Sequence, residues 1–379
     1  MKLQYSVDEL VKLAKRDNNS IRPYLYVNPK QGKHIPTNPK DAIAMCKELA
    51  DIVNTTYPEE SLYVIGFAET ATGVAAEVSS FLKNIVYYQN TTREYSENEE
   101  YLYFTESHSH AADQMLRSSG IGDCMQKVDR IIFIDDEVTT GNTIYRLIGV
   151  IKEKYHIDTL KYSIVSILNS MMDERLEQLR KNGIECLFLL GLSYEYKKRS
   201  ILNIRFESER HTISETSEKP EFEIFEFLSK VNPRDIVKFQ DYNKEINKYV
   251  KNIEHFLGEK HYDKILVLGT EEFMYPTFMV GYMIEKKGIA DEVKMHSTTR
   301  SPIIASGAEG YPLYHRYQIR SIYDENRTTY VYNLERYDKV LILTDAMTDS
   351  DGLSDLCFAL KSTGNKDITI AKWIYQKKQ

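Results

Sequence analysis

Two adjacent carboxylates, Asp135 and Asp136, end an apolar run and lead into a loop of small hydroxylated residues with one glycine, Ile131-Ile-Phe-Ile-Asp-Asp-Glu-Val-Thr-Thr-Gly-Asn-Thr143. The run reads as a buried strand, and the loop opens a helix. Backbone N–H groups of Thr140 to Thr143 and the helix N-terminus offer positive potential to a phosphate without a charged side chain. Gly141 permits close backbone approach, and the hydroxyls of Thr139, Thr140 and Thr143 can donate to phosphate oxygens. Asp135 and Asp136 would repel that phosphate, so they face something else: sugar hydroxyls or the shell of a magnesium ion. A phosphate beside a polyhydroxylated sugar describes a pentose phosphate. A plain helix cap needs neither two consecutive acids nor the TTGNT run. GxxxxGK[ST] and GxGxxG are both absent, which excludes a Walker loop and a dinucleotide fingerprint.

Three further segments carry residues able to do chemistry. Gly66-Phe67-Ala68-Glu69-Thr70 follows an apolar strand, and a glycine at a strand end suits close backbone approach to a ligand. Phe104-Thr-Glu106-Ser-His108-Ser-His110 would project Glu106, His108 and His110 to one side of an extended segment. Such a set suits an acid/base loop, a metal site or solvated surface histidines. The proline-rich strap from Arg22 to Pro36 contains Lys33 and His34; it reads either as a cover over an acceptor site, with Arg22, Lys33 and His34 facing an anion, or as a plain N-terminal strap. Farther on, His296-Ser-Thr-Thr-Arg300-Ser-Pro302 holds one arginine able to anchor a carboxylate or phosphate, or forms an ordinary surface turn.

Short apolar runs alternate with amphipathic patterns, which indicates an α/β fold with a mainly parallel sheet flanked by helices. The chain has 379 residues, enough for two domains. The acidic, polar stretch 207–235 reads as a linker between a domain at 1–206 and a second at 236–379. In that second domain Ile265-Leu-Val-Leu-Gly269 echoes Leu62-Tyr-Val-Ile-Gly66, and Lys339 to Leu353 echoes Arg130 to Ile144, at offsets of 203 and 209 residues. The second half therefore reads as a degenerate repeat. Its loop carries Asp349 where the first has Thr140 and Ser350 where the first has Gly141, so it should not bind a 5-phosphate. The N-terminal MKLQYSVDELVKLAK reads as an amphipathic helix rather than a signal peptide. A net charge of -7 argues against a nucleic-acid partner, and no apolar stretch is long enough for a membrane span. Four widely spaced cysteines suit a reducing, cytoplasmic setting.

Across Ile131 to Thr143 the sequence resembles the type I phosphoribosyltransferases. The resemblance implies that Asp135 and Asp136 contact the ribose hydroxyls of phosphoribosyl pyrophosphate (PRPP), and that Thr139, Thr140, Gly141, Asn142 and Thr143 cradle its 5-phosphate. It also implies that Gly66 to Thr70 forms the pyrophosphate loop, where Glu69 is a departure, and that the 106–110 segment lies in the mobile catalytic hood. The Thr299-Arg300-Ser301-Pro302 string, together with GFAETATG and FTESHSHA, resembles a two-domain family: an orotate-phosphoribosyltransferase-like domain followed by a TRSP domain, known from tellurite-resistance-associated gene clusters. The expected activity is magnesium-dependent transfer between PRPP and a nitrogenous acceptor, or its reverse, in a cytoplasmic homodimer acting on small molecules. A PRPP-binding sensor and an N-ribosyl hydrolase are the alternatives.

Overall fold

The computed structural model describes residues 5–17, 23–104, 114–192, 210–212, 223–346 and 350–376. They form two compact units, one drawn from 44–197 and 231–245, the other from 6–43, 198–230 and 246–379. Each is built on its own mainly parallel sheet, as the apolar runs require.

The N-terminal segment departs from the expected helix. A single turn, α1 (Val7–Leu10), held by a capping box between Ser6 and Glu9, gives way to strand β1 (Lys12–Lys15), which pairs antiparallel with β2 (Tyr24–Val27). The physical reason lies in Lys-Leu-Ala-Lys, where Ala14 is buried and the lysines at either end are not, a short strand-like alternation inside an apparent helical one. This hairpin belongs to the second unit, as does the start of the long helix α2 (Pro39–Thr56).

In the first unit β3 (Leu62–Gly66), β4 (Ile85–Asn90), β7 (Arg130–Val138), β8 (Lys161–Asn169) and β9 (Ile184–Gly191) are parallel in the order β4-β3-β7-β8-β9. Helices α3 (Thr72–Phe81), α5 (Asn142–Tyr155) and α6 (Asp173–Lys181) make three of the crossovers. Between β4 and β7 the chain instead forms the small antiparallel pair β5 (Tyr101–Tyr103) and β6 (Met115–Arg117), then α4 (Ile121–Met125). A short antiparallel strand, β12 (Val237–Lys238), closes the β4 edge. From β3 the chain moves to one side to make β4 and then returns to the other to make β7. The strand order therefore reverses between β3 and β7, and in open sheets of this kind ligands bind beyond the carboxyl ends at that reversal.

The second unit repeats the plan. β13 (Tyr262–Gly269), β14 (Ala290–Ser297), β17 (Lys339–Thr344) and β18 (Ile368–Tyr375) lie parallel in the order β14-β13-β17-β18, joined through α8 (Tyr275–Lys287) and α9 (Asp351–Ser362). The fifth strand is β11 (Glu223–Ser229), parallel to β18 and taken from within the stretch expected to be a linker. Glu223 and Glu226 lie exposed on it and only Phe227 and Ser229 are buried, so the edge strand carries no buried apolar run. A helix before β13, α7 (Phe239–Leu257), contains the boundary between the units. The strands β10 (Arg210–Thr212), β15 (Arg316–Arg320) and β16 (Thr328–Tyr332) make a separate three-stranded sheet.

Candidate active site

β3 and β7 are hydrogen-bonded neighbours, with Gly66 opposite Ile134, and the Phe67 amide donates to the Ile134 carbonyl at 3.0 Å. The Gly66–Thr70 loop and the Asp135–Asp136 pair are thus side by side at the strand-order reversal. Ile131 to Ile134 are completely buried, and each such side chain contributes about 1.5–3 kcal/mol, which fixes the register that brings the acids to the strand end. The Asp136 amide donates to Asp135 Oδ1 at 3.0 Å, and Glu137 accepts from Ser170 Oγ at 3.2 Å. Loss of water, and then the neighbouring carboxylates of Asp136 and Glu137, push the Asp135 carboxyl well above its ordinary range. A site in that state gains by receiving hydroxyl donors or a cation.

Gly141 sits at φ 66° immediately before α5, a left-handed conformation that makes glycine the natural residue there. The N-cap residue Gly141 has no side chain to cap α5, its first turn holds no acid, and of its first amides that of Asn142 donates to Thr140 Oγ1 at 3.3 Å. The helix dipole and the terminal amides are therefore directed at whatever anion lies there. The sequence reading missed Arg175 on α6. Its Nε donates to the Thr140 carbonyl at 3.0 Å, an Nη donates to Asn142 Oδ1 at 3.0 Å, and its guanidinium lies 5.1 Å from the Tyr145 ring centroid. It clamps the loop in place, yet in Asp-Glu-Arg-Leu-Glu-Gln-Leu-Arg-Lys it looks like one more charge on a solvated helix face. Arg175→Ala is expected to raise the KM for the phosphorylated substrate about tenfold, the scale of one charge-assisted hydrogen bond, with kcat changed less. Steady-state kinetics check this, and Arg175→Lys should recover only part of the loss.

The Gly66 loop is tightly held. Ala68 N–H donates to Thr91 Oγ1 at 2.8 Å, Gln114 Nε2 donates to the Ala68 carbonyl at 2.7 Å, Thr72 Oγ1 donates to the Glu69 carbonyl at 3.1 Å, and the Ala68–Glu69 peptide is cis. A Cβ on Gly66 would stand 2.6 Å from Ala75 Cβ, so glycine is what lets α3 cross the strand end. Phe67 points away from the loop into the core, its ring 5.9 Å from Phe104 and 6.3 Å from Phe133. Glu69 is buried and Thr70 half-buried. Glu106, His108, His110 and Arg22 lie outside the described residues.

Lys33, His34 and Arg300 all belong to the second unit. Lys33, fully buried, donates to the Glu271 carbonyl at 2.8 Å. His34 packs 6.4 Å from the Tyr332 ring. Arg300 Nε donates to Glu271 Oε2 at 2.7 Å, and an Nη lies 3.6 Å from Glu272. The strap is drawn there by the Thr37–Met295 backbone pairing and by Gly32, which passes against Met295 at φ 73°. Among the described residues no group of three His, Cys, Asp or Glu side chains is arranged to hold a metal, and no helix is long and apolar enough to cross a membrane.

Residues 10–188 match the family described as phosphoribosyl transferase, and residues 237–360 match the TRSP domain found C-terminal to it. Among solved structures, the chain is similar to adenine phosphoribosyltransferase from Rhodothermus marinus, at 12% identity over 49% of this chain and 96% of that one with a TM-score of 0.32. It is similar to the adenine phosphoribosyltransferase of Trypanosoma brucei in complex with AMP, pyrophosphate and ribose-5-phosphate, at 13% identity over 53% and 85%, TM-score 0.36. The Leishmania tarentolae adenine phosphoribosyltransferase aligns at 14% identity over 50% and 88%, TM-score 0.34. No curated protein matches the chain. With a phosphoribosyltransferase region followed by a TRSP domain, the chain is a phosphoribosyltransferase of the two-domain, TRSP-bearing family.

Proposed function

We propose that the first unit transfers ribose 5-phosphate between PRPP and a nitrogenous acceptor, in either direction, with magnesium, in the biosynthesis of a nucleotide-like metabolite. The observation that carries this reading is the pairing, at one strand-order reversal, of an acid-free helix N-terminus behind Gly141 with the Asp135–Asp136 pair. The backbone at Thr139 to Thr143 holds the 5-phosphate. Asp135 and Asp136 accept from the ribose hydroxyls and fix the ring. Gly66, Ala68, Glu69 and Thr70 line the leaving-group side, and Glu106, His108 and His110 supply acid/base groups. In the synthetic direction the anomeric C–O bond to pyrophosphate breaks, a C–N bond to the acceptor forms, and the acceptor's proton passes to a base. Positioning and exclusion of water carry most of the catalysis, because the anomeric carbon develops positive charge as pyrophosphate departs.

The donor set suits magnesium: it offers carboxylate oxygens without thiols, and a magnesium ion needs only one or two carboxylates when substrate oxygens complete its shell. Asp135 and Asp136 would hold it. When bound it would neutralise pyrophosphate as that group leaves. We place the catalytic domain at 1–206, apart from the 6–43 strap that the second unit takes, and the TRSP-type domain at 236–379 with β11 added to its sheet, in a cytoplasmic homodimer. A second reading, a PRPP sensor without turnover, is favoured by one observation: Glu69 puts a buried carboxyl in the pyrophosphate loop. Incubation with PRPP, magnesium and a panel of nitrogenous bases, following pyrophosphate, separates the readings. Acceptor-dependent release is expected. Binding without release would establish the sensor, and release of ribose 5-phosphate without an acceptor would establish a hydrolase.

A further inference from the structure

The two units agree beyond strand order, down to individual hydrogen bonds. After β4 the chain reads Asn90-Thr91-Thr92-Arg93, and after β14 it reads Ser297-Thr298-Thr299-Arg300, a third landmark at an offset of 207 residues. The Thr91 amide donates to the Gly66 carbonyl at 2.9 Å, and the Thr298 amide to the Gly269 carbonyl at 3.1 Å. Ala68 N–H donates to Thr91 Oγ1 at 2.8 Å, and Glu271 N–H to Thr298 Oγ1 at 3.0 Å. Thr92 exchanges two backbone bonds with Met115 of β6, and Thr299 exchanges two with Tyr330 of β16. The β15–β16 hairpin of the second unit is therefore the counterpart of the β5–β6 pair in the first. A Cβ on Gly269 would meet Thr277 Oγ1 at 2.5 Å, the same close helix crossing that Gly66 permits.

The second unit's crevice is occupied. In the second unit the turn from Ser321 to Arg327, which joins β15 to β16, is bonded to both strand-end loops. Ser321 Oγ donates to Glu271 Oε1 at 2.5 Å and an Arg327 Nη to Glu271 Oε2 at 3.1 Å. The Tyr323 hydroxyl donates to Asp345 Oδ1 at 2.5 Å and lies 2.8 Å from Thr270 Oγ1. Arg320 donates to Asp355 at 2.8 Å and to Asp351 at 2.6 Å, both on α9. The α9 terminus corresponds to that of α5, but Ser350 Oγ caps it by accepting from the Leu353 amide at 3.4 Å, and Asp351 places an acid in the first turn. At Gly352, the counterpart of Thr143, a Cβ would lie 2.5 Å from the Ser321 carbonyl oxygen and 2.7 Å from that of Arg320. Backbone of the hairpin thus rests directly on the helix terminus.

We infer that the second unit is a self-closed copy of the phosphoribosyl site, its crevice filled by the Ser321–Arg327 turn and latched through Glu271, Asp345 and the α9 terminus. Arg300 and Arg327 both bond Glu271 inside this latch. The unit acts as a non-catalytic companion, and the chain has one phosphoribosyl site. What the turn displaces is named from the reading of α5 as a phosphate cradle; the closure itself rests only on the second unit's contacts.

Two measurements on the full chain test this. In hydrogen exchange of the ligand-free protein, amides of residues 320–327 should exchange at least about 100-fold more slowly than in an unstructured peptide. Gly352→Ala should speed them at least tenfold. Exchange at the unstructured rate in the native protein overturns the closure, whether or not the variant folds. In calorimetric titration with ribose 5-phosphate, binding lost in Asp135→Asn/Asp136→Asn supports both the closure and the first-unit reading. No binding even to the native chain sinks the first-unit reading and leaves the closure standing on exchange. Two molecules of ribose 5-phosphate bound per native chain would overturn the closure.

Discussion

Replacing Asp135 and Asp136 together with asparagine is expected to lower turnover about 10³-fold or more, the scale of losing two hydrogen-bonded charges from a site, while thermal stability holds or rises. The second half of that statement comes from the raised Asp135 carboxyl. A carboxyl whose folded value lies above its unfolded value stabilises the fold below the unfolded value, and that contribution is lost as the pH rises through the folded one. At neutral pH the crowded pair therefore works against folding, and asparagine removes the conflict. Loss of pyrophosphate release with an unchanged or higher Tm is the signature of groups kept for chemistry. Lost activity with a falling Tm would mark the pair as structural.

The second large effect belongs to Glu77, the only charged residue of α3, which is buried with its Oε2 lacking a hydrogen-bond partner. Burial pushes its carboxyl up to about 8 from an ordinary 4.5, and the thiol of Cys46 beside it is itself pushed up by burial and then by Glu77. The folded protein holds this proton across a window in which the unfolded chain releases it. Stability from Glu77 is thus fully present below about pH 4.5 and lost as the pH rises through about 8, by on the order of 5 kcal/mol at most. Glu77→Gln keeps the shape and removes the titration. Denaturant unfolding at pH 5 and pH 8 should show the variant gaining on the native chain by several kcal/mol at the higher pH, relative to the lower. Parallel pH profiles for the two proteins would refute the assignment.

The Asp135 to Thr143 segment was legible in the sequence because everything it needs is local: an apolar strand, two acids, a glycine at a left-handed position and a helix start within thirteen residues. The parallel strands were legible in similarly local apolar runs, but their order, a long-range pairing, was not. Lys33 was not legible in the same way, since its partner Glu271 lies 238 residues on; a strap rich in proline says that it is stiff and not where it goes. The Thr-Thr-Arg repeat escaped because small insertions move the offset from 203 to 207, and a three-residue likeness acquires meaning only when the same amides meet the same carbonyls. β11 was hidden by acids that face solvent from an edge strand. Glu77 did leave a trace, a single charge inside Thr-Gly-Val-Ala-Ala-Glu-Val-Ser-Ser-Phe, whereas Arg175 left none.

The central claim is that the first unit's strand-order reversal holds a phosphoribosyl group, and a crystal structure of the chain with PRPP and magnesium tests it most directly. The expected result is one bound molecule per chain, its 5-phosphate on the backbone amides of Thr139 to Thr143 and its ribose hydroxyls on Asp135 and Asp136. A ligand seated instead beyond β13 and β17, beside Glu271 and Asp345, would contradict it.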